Sequence, residues 1–233
     1  MRKGDYQTTQ KAQDYNYNRF GGGLTTVDLD ERSILSSWIN KYAINKNTLL
    51  DLGSGTGRII KSLIKFNPKV IIALDASDYM LKELKSNFSN EKNSKVIKTI
   101  LSTSDKTKQK NNSIDIVTTF HLFKHLPQID STLKEANRIL VPGGILVFDV
   151  LNKYSIVSTN VETCYVYTKK QIIKKLQNNG FTVLETKYIH FLGETIYKLL
   201  YPWGNDIWHI FDSLFSSLGI PFGTKIMVIA KKK

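Results

Sequence analysis

Apolar residues in this chain form two kinds of run. Short continuous ones rich in Leu, Ile and Val read as buried strands: TLLDL from Thr48, VIIAL at 70–74, VIKTIL at 96–101, SIDIVTTF at 113–120 and ILVFDV at 145–150. FTVLETKYIHF at 181–191 alternates in part and GTKIMVIAKKK at 223–233 ends the sequence, giving a sixth and a seventh strand. Between them, apolar positions recur at helical spacing. Ile34, Leu35 and Trp38 do so behind the early acids of 28–42, and Ile59, Ile60, Leu63 and Ile64 follow the first strand. DYMLKELKSNF follows a cap at Ser77 or Asp78, and TLKEANRIL follows one at Asp130 or Ser131. Residues 166–180 place Ile172, Ile173 and Leu176 on one face, with Thr168 as cap and Gly180 as stop.

Two stretches break this rhythm. Residues 1–27 show no periodic face, yet Tyr15, Tyr17, Arg19 and Phe20 stand in polar surroundings. They read either as an arm packing its aromatics on the body or as a lid. Residues 192–222 are too long for a hairpin and too aromatic for a solvated loop, so helices are expected there. That segment either packs on the sheet edge, walls a substrate pocket, or meets a membrane.

Chemistry concentrates at 48–64, a strand, a turn with Gly53, Gly55 and Gly57 at alternate positions, and the opening of a helix. Glycines suit positive φ and close approach of a ligand to the main chain, and a helix start offers N–H groups to an anion. Arg58-Ile59 after the last glycine is not the Lys-Ser/Thr pair of a phosphate loop, and Gly57 comes one residue early for a dinucleotide fingerprint. The loop LDLGSGTGR, followed by ALDAS with its acid at Asp75, resembles the class I S-adenosylmethionine-dependent methyltransferases, in their small-molecule type.

The resemblance extends over nearly the whole chain, from 28 to the end. It implies an α/β fold, a three-layer Rossmann-like sandwich with a seven-stranded, mostly parallel sheet and an antiparallel last strand. It also implies S-adenosylmethionine as cofactor and a division into an arm or lid at 1–27 and a domain at 28–233, with a helical insertion at about 192–222. Asp51, Gly53, Ser54 and Gly55 would pass under its methionine part, Asp75 beside Ala76 would take the ribose hydroxyls, and Met80 would lie against the adenine. Phe120 belongs to the same set. Arg19 would pair with the methionine carboxylate. The family's adenine-binding acid falls in STSDKTKQ, where Ser104 or Asp105 stands near its place, a departure from the pattern. TTFHLF replaces the motif of enzymes that methylate amino groups of DNA bases or glutamine.

Methyl transfer to oxygen or a protonated nitrogen needs a proton acceptor, and His121, at the end of the fourth strand, is the candidate general base. No His and acid spacing indicates a metal, and the single cysteine, Cys164, forms no internal disulfide and no cysteine-rich site. The chain of 233 residues suits one domain, and no run approaches the roughly 20 apolar residues of a membrane span. Without an apolar signal region at the start, the cytoplasm is the expected place. A net charge of +13 fits an anionic partner, or simply a lysine-rich composition. The expected acceptor is a small or lipid-linked metabolite, with peripheral contact to an anionic membrane; an RNA or protein acceptor, and a non-catalytic cofactor-binding module, are the alternatives.

Overall fold

The computed structural model describes residues 8–20, 25–91, 94–157, 164–191, 210 and 213–233, with backbone alone at 16–20 and at Thr26. Eight strands are seen in them: β1 (Thr48–Leu52), β2 (Val70–Asp75), β3 (Ile97–Leu101), β4 (Ile114–Thr119), β5 (Leu140–Asn152), β6 (Val166–Tyr167), β7 (Phe181–Ile189) and β8 (Lys225–Lys232). Six helices accompany them: α1 (Thr9–Phe20), α2 (Thr25–Tyr42), α3 (Ile60–Leu63), α4 (Asp78–Asn87), α5 (Asp130–Ile139) and α6 (Lys169–Asn178).

Seven strands form one sheet in the order β3-β2-β1-β4-β5-β8-β7, and the two-residue β6 pairs with β5. β8 runs antiparallel to both β5 and β7, and the other pairings are parallel. The alternation of side chains across a strand sends Leu50 and Leu52 into one core layer and Leu49 into the other. Leu133, Ile139, Ile172 and Leu176 of α5 and α6 pack on the first face. Leu35, Trp38 and Ile39 of α2, Ile60 and Leu63 of α3 and Leu84 of α4 pack on the second. The result is the expected three-layer α/β sandwich. Strand order reverses between β1 and β4, and ligands of open α/β sheets bind outside the carboxyl ends of the strands at such a point.

Local signals set several boundaries as read. Ser77 caps α4 by accepting from Met80 N, and Thr168 caps α6 in a reciprocal box with Gln171. Gly180 takes φ +79 after α6. The carboxylate of Asp115 accepts the backbone N–H groups of Asn47 and Thr48, both at 2.9 Å, and so pins the start of β1.

Other boundaries differ. The arm is helical from Thr9 to Phe20. The helix after the glycines shrinks to α3, followed by one 3-10 turn at Ile64–Phe66. α5 has Ile129 at its cap with no side-chain bond. Asp130 is drawn off by α6, accepting from Lys175 Nζ at 2.5 Å and Asn179 Nδ2 at 3.1 Å. Of 192–222, residue 210 and residues 213–222 are described, with a short helical stretch at 213–217; 192–209 and 211–212 of that expected insertion lie outside the described residues, as does the Arg19 side chain.

Candidate functional site

The glycine turn leaves β1 at the switch point. Gly53 N and Ser54 N donate to Leu74 O at 2.8 and 3.0 Å, tying the turn to β2. Gly55 N donates to Asp75 Oδ2 and Ser77 N to Asp75 Oδ1, each at 2.9 Å. Gly53, Gly55 and Gly57 all have positive φ, and at Gly57 a Cβ would come within 2.5 Å of the Phe88 ring. Over Gly55 there is open space up to Tyr15 of α1, whose Cε1 would lie 3.9 Å from an added Cβ.

A cavity opens on this turn, lined by Tyr15, Asp51, Gly53–Thr56, Arg58, Ile59, Phe120 and His121. Its volume is about 20 Å³, room for roughly one water. Asp51 lies on its floor and accepts from Thr118 Oγ1 at 2.7 Å. Burial raises the Asp51 carboxyl to about 7 against the opposing effects of Thr118 and Arg58. Burial also raises Asp75, against the N–H groups of Ser77 and Gly55. The Ser54 hydroxyl is buried in this wall without a hydrogen-bond partner.

Beside the cavity lies a charged cluster that sequence reading missed except for His121. Glu31 of α2 is fully buried. Its carboxylate meets Lys225 Nζ from the start of β8, Arg58 Nη1 at 2.8 Å and His121 Nε2 at 3.1 Å. Lys225 Nζ also lies 2.8 Å from His121 Nε2 and 3.5 Å from Asp149 Oδ2 of β5. Asp149 Oδ1 accepts the His121 backbone N–H at 2.6 Å. Asp28 joins through Arg58 at 2.7 Å and Arg32 at 2.8 Å. His190, at the end of β7, places Nδ1 3.9 Å from Glu31.

Burial would raise Glu31, but Lys225, His121 and Arg58 outweigh it and hold the carboxylate well below its usual range. Burial, then Lys225, pushes His121 well down, and burial pushes His190 to about 3, so both imidazoles are neutral at pH 7. Both histidines take left-handed backbone, φ +58 and +60, a costly conformation for a residue with a Cβ. Glu31, His121 and Asp149 bring ligand-type atoms within 4.8 Å of one another. The Lys225 ammonium supplies the positive charge among them.

The structure thus gathers Asp51, Gly53, Ser54, Gly55, Phe120 and His121 around one cavity, with Asp75 bonded to the same turn. Ala76 is exposed beside Asp75, and Met80 is buried at the start of α4. Ser104 shares a 2.8 Å hydrogen bond with Thr132 Oγ1 of α5, and Asp105 is exposed; neither lines the cavity. The signals for the missed residues were acids and lysines inside apolar runs: Asp149 within ILVFDV and Lys225 heading KIMVIA.

Residues 50–148 match the family described as a methyltransferase domain. An uncharacterized methyltransferase of Schizosaccharomyces pombe is 31% identical over 117 residues, 48% of this chain and 43% of that protein. A ubiquinone biosynthesis O-methyltransferase of Hydrogenovibrio crunogenus is 29% identical over 111 residues, 48% of this chain and 45% of that protein. The chain spans less than half the length of the curated relatives it matches. Among solved structures, a SAM-dependent methyltransferase from Aquifex aeolicus superposes with a TM-score of 0.66 at 15% identity, over 97% of this chain and 99% of that one.

Proposed function

We propose, from the premise that this chain carries a class I S-adenosylmethionine-dependent methyltransferase domain, that it methylates a small or lipid-linked metabolite. The observation that carries this reading is the convergence, at one switch point, of an uncovered glycine, the strand-end carboxylate of Asp75 and a neutral histidine.

The residues fit the cofactor. The Asp75 oxygens keep lone-pair capacity beyond the backbone N–H groups of Gly55, Ser77 and Ala76, so the carboxylate can also accept ribose hydroxyls. The Ser54 hydroxyl is a buried polar group in want of a partner, and no Cβ fills the space over Gly55. Bound there, S-adenosylmethionine supplies an electrophilic methyl group. The cavity of about 20 Å³ is far smaller than that cofactor, so Tyr15 and α1 must swing away for it to enter. In this reading α1 is the lid, with Arg19 on its last turn. His121 serves as general base. It is neutral and lines the cavity; Glu31 at 3.1 Å favours the imidazolium formed when it takes the acceptor's proton, while burial and the Lys225 ammonium at 2.8 Å oppose it and make His121 a weak base.

The lipid-linked part of the reading draws on the segment after β7. Leu214 and Leu218, one turn apart, are 52% and 66% exposed, and Ile210 and Phe222 are 65% and 45% exposed, while Phe215 stacks on Phe191 at 5.6 Å. Such a row suits an apolar chain or the edge of a bilayer, and the net charge of +13 suits anionic headgroups. No helix among the described residues is long and apolar enough to cross a membrane. Titration calorimetry with S-adenosylmethionine tests the cofactor step: wild type binds, and Asp75→Ala weakens binding by at least about tenfold. Absence of binding to wild type, or equal affinity of the variant, overturns the reading.

A further inference from the structure

We propose that the outer edge of β7 is a docking site for a short, acidic, extended segment of a partner protein, added as one more strand of the sheet. The inference does not depend on the methyltransferase reading. β7 is the last strand of the sheet, paired with β8 on one side and with no strand on the other among the described residues. An edge of this kind presents a row of backbone donors and acceptors, and extended peptides use it as a template.

Along this edge runs a groove of about 730 Å³. One wall is β7 from Phe181 to Thr186; the other is Lys169, Ile173 and Gln177 of α6, with Lys233 at the end. Six residues of strand span roughly 20 Å, the length of one short extended segment. Val183, Leu184 and Ile173 are half-buried and give apolar seats for alternate side chains.

Charge names the occupant. Lys169 and Lys233 are exposed on the groove, with Lys170 and Lys174 exposed beside them on α6. The acid in the lining, Glu185, is already engaged by Lys41 Nζ at 3.2 Å and the Tyr42 hydroxyl at 2.8 Å. The groove therefore offers a net positive rim. A second copy of the chain fits less well. Two molecules of charge +13 repel, and the register shift between Val183 and Glu185 bends the edge that a long, flat strand pairing needs.

The test uses the full chain with two labelled hexapeptides, Glu-Val-Glu-Val-Glu-Val and Lys-Val-Lys-Val-Lys-Val. The acidic probe is expected to slow amide exchange in residues 181–186 and to leave the opposite edge, β3, unchanged. Fluorescence anisotropy should show the binding weakening with salt, and about tenfold with Lys169→Glu and Lys233→Glu combined. Both lysines are exposed, so an unchanged thermal midpoint shows that the variant is folded. Three results overturn the proposal: no slowing at millimolar acidic probe, equal slowing by the lysine probe, or a concentration-dependent dimer in sedimentation that slows the same amides without any probe.

Discussion

Asp51 and Glu31 are both buried carboxyls influenced by Arg58, yet burial wins at one and loses at the other. Glu31 faces two further partners, Lys225 and His121, whereas Asp51 has one hydroxyl and a neighbouring acid, Asp75. Their linkage to stability has opposite signs. The Asp51 contribution is fully present below the unfolded value near 3.8 and is lost as pH rises through about 7. That of Glu31 is present above the unfolded value near 4.5 and is lost as pH falls through its lowered folded value. Asp51→Asn should therefore flatten the loss of stability between about pH 4 and 7, read from urea midpoints across that range; an unchanged slope would show that Asp51 ionises freely. Gly57→Ala forces a Cβ into Phe88 at φ +92 and should cost about 2–4 kcal/mol in the same denaturation experiment. Residues of this kind differed in how legible they were. Asp51, the glycines and Asp75 sit in one contiguous signature, because a ligand-binding turn is built locally. Glu31 sits among the acids of a helix start and looks like a response to the helix dipole, and Lys225 is one lysine among many. Only three-dimensional packing sets them apart.

At the scale of elements, the same division holds. The caps Ser77 and Thr168 were readable, since each accepts from the backbone N–H three residues on within its own turn. The cap expected at Asp130 was not, because α6 takes that carboxylate by a tertiary contact. Likewise nothing local limits α3 to four residues or places β6 beside β5. A buried ion pair joins α2 to β8. Lys225→Met leaves Glu31 buried with one cation fewer and should destabilise by about 3–5 kcal/mol, whereas pairing it with Glu31→Gln should recover part of that loss. Strict additivity of the two substitutions in chemical denaturation would mean that the pair does not act as a unit.

For the whole molecule, the strands and most helices followed from runs and spacing, while their order in the sheet came only through the family resemblance. No local pattern says that the final strand slots between the fifth and the seventh. That placement has a consequence in time. β8 lies between β5 and β7, both of which precede it in the chain. On a ribosome, β5 therefore keeps an open edge with Val147 and Phe148 bare, and β7 has nowhere to join, until residues 225–232 emerge. The same strand delivers Lys225 to Glu31, His121 and Asp149. A nascent chain thus owns its glycine turn early but completes its charged cluster only once β8 has emerged.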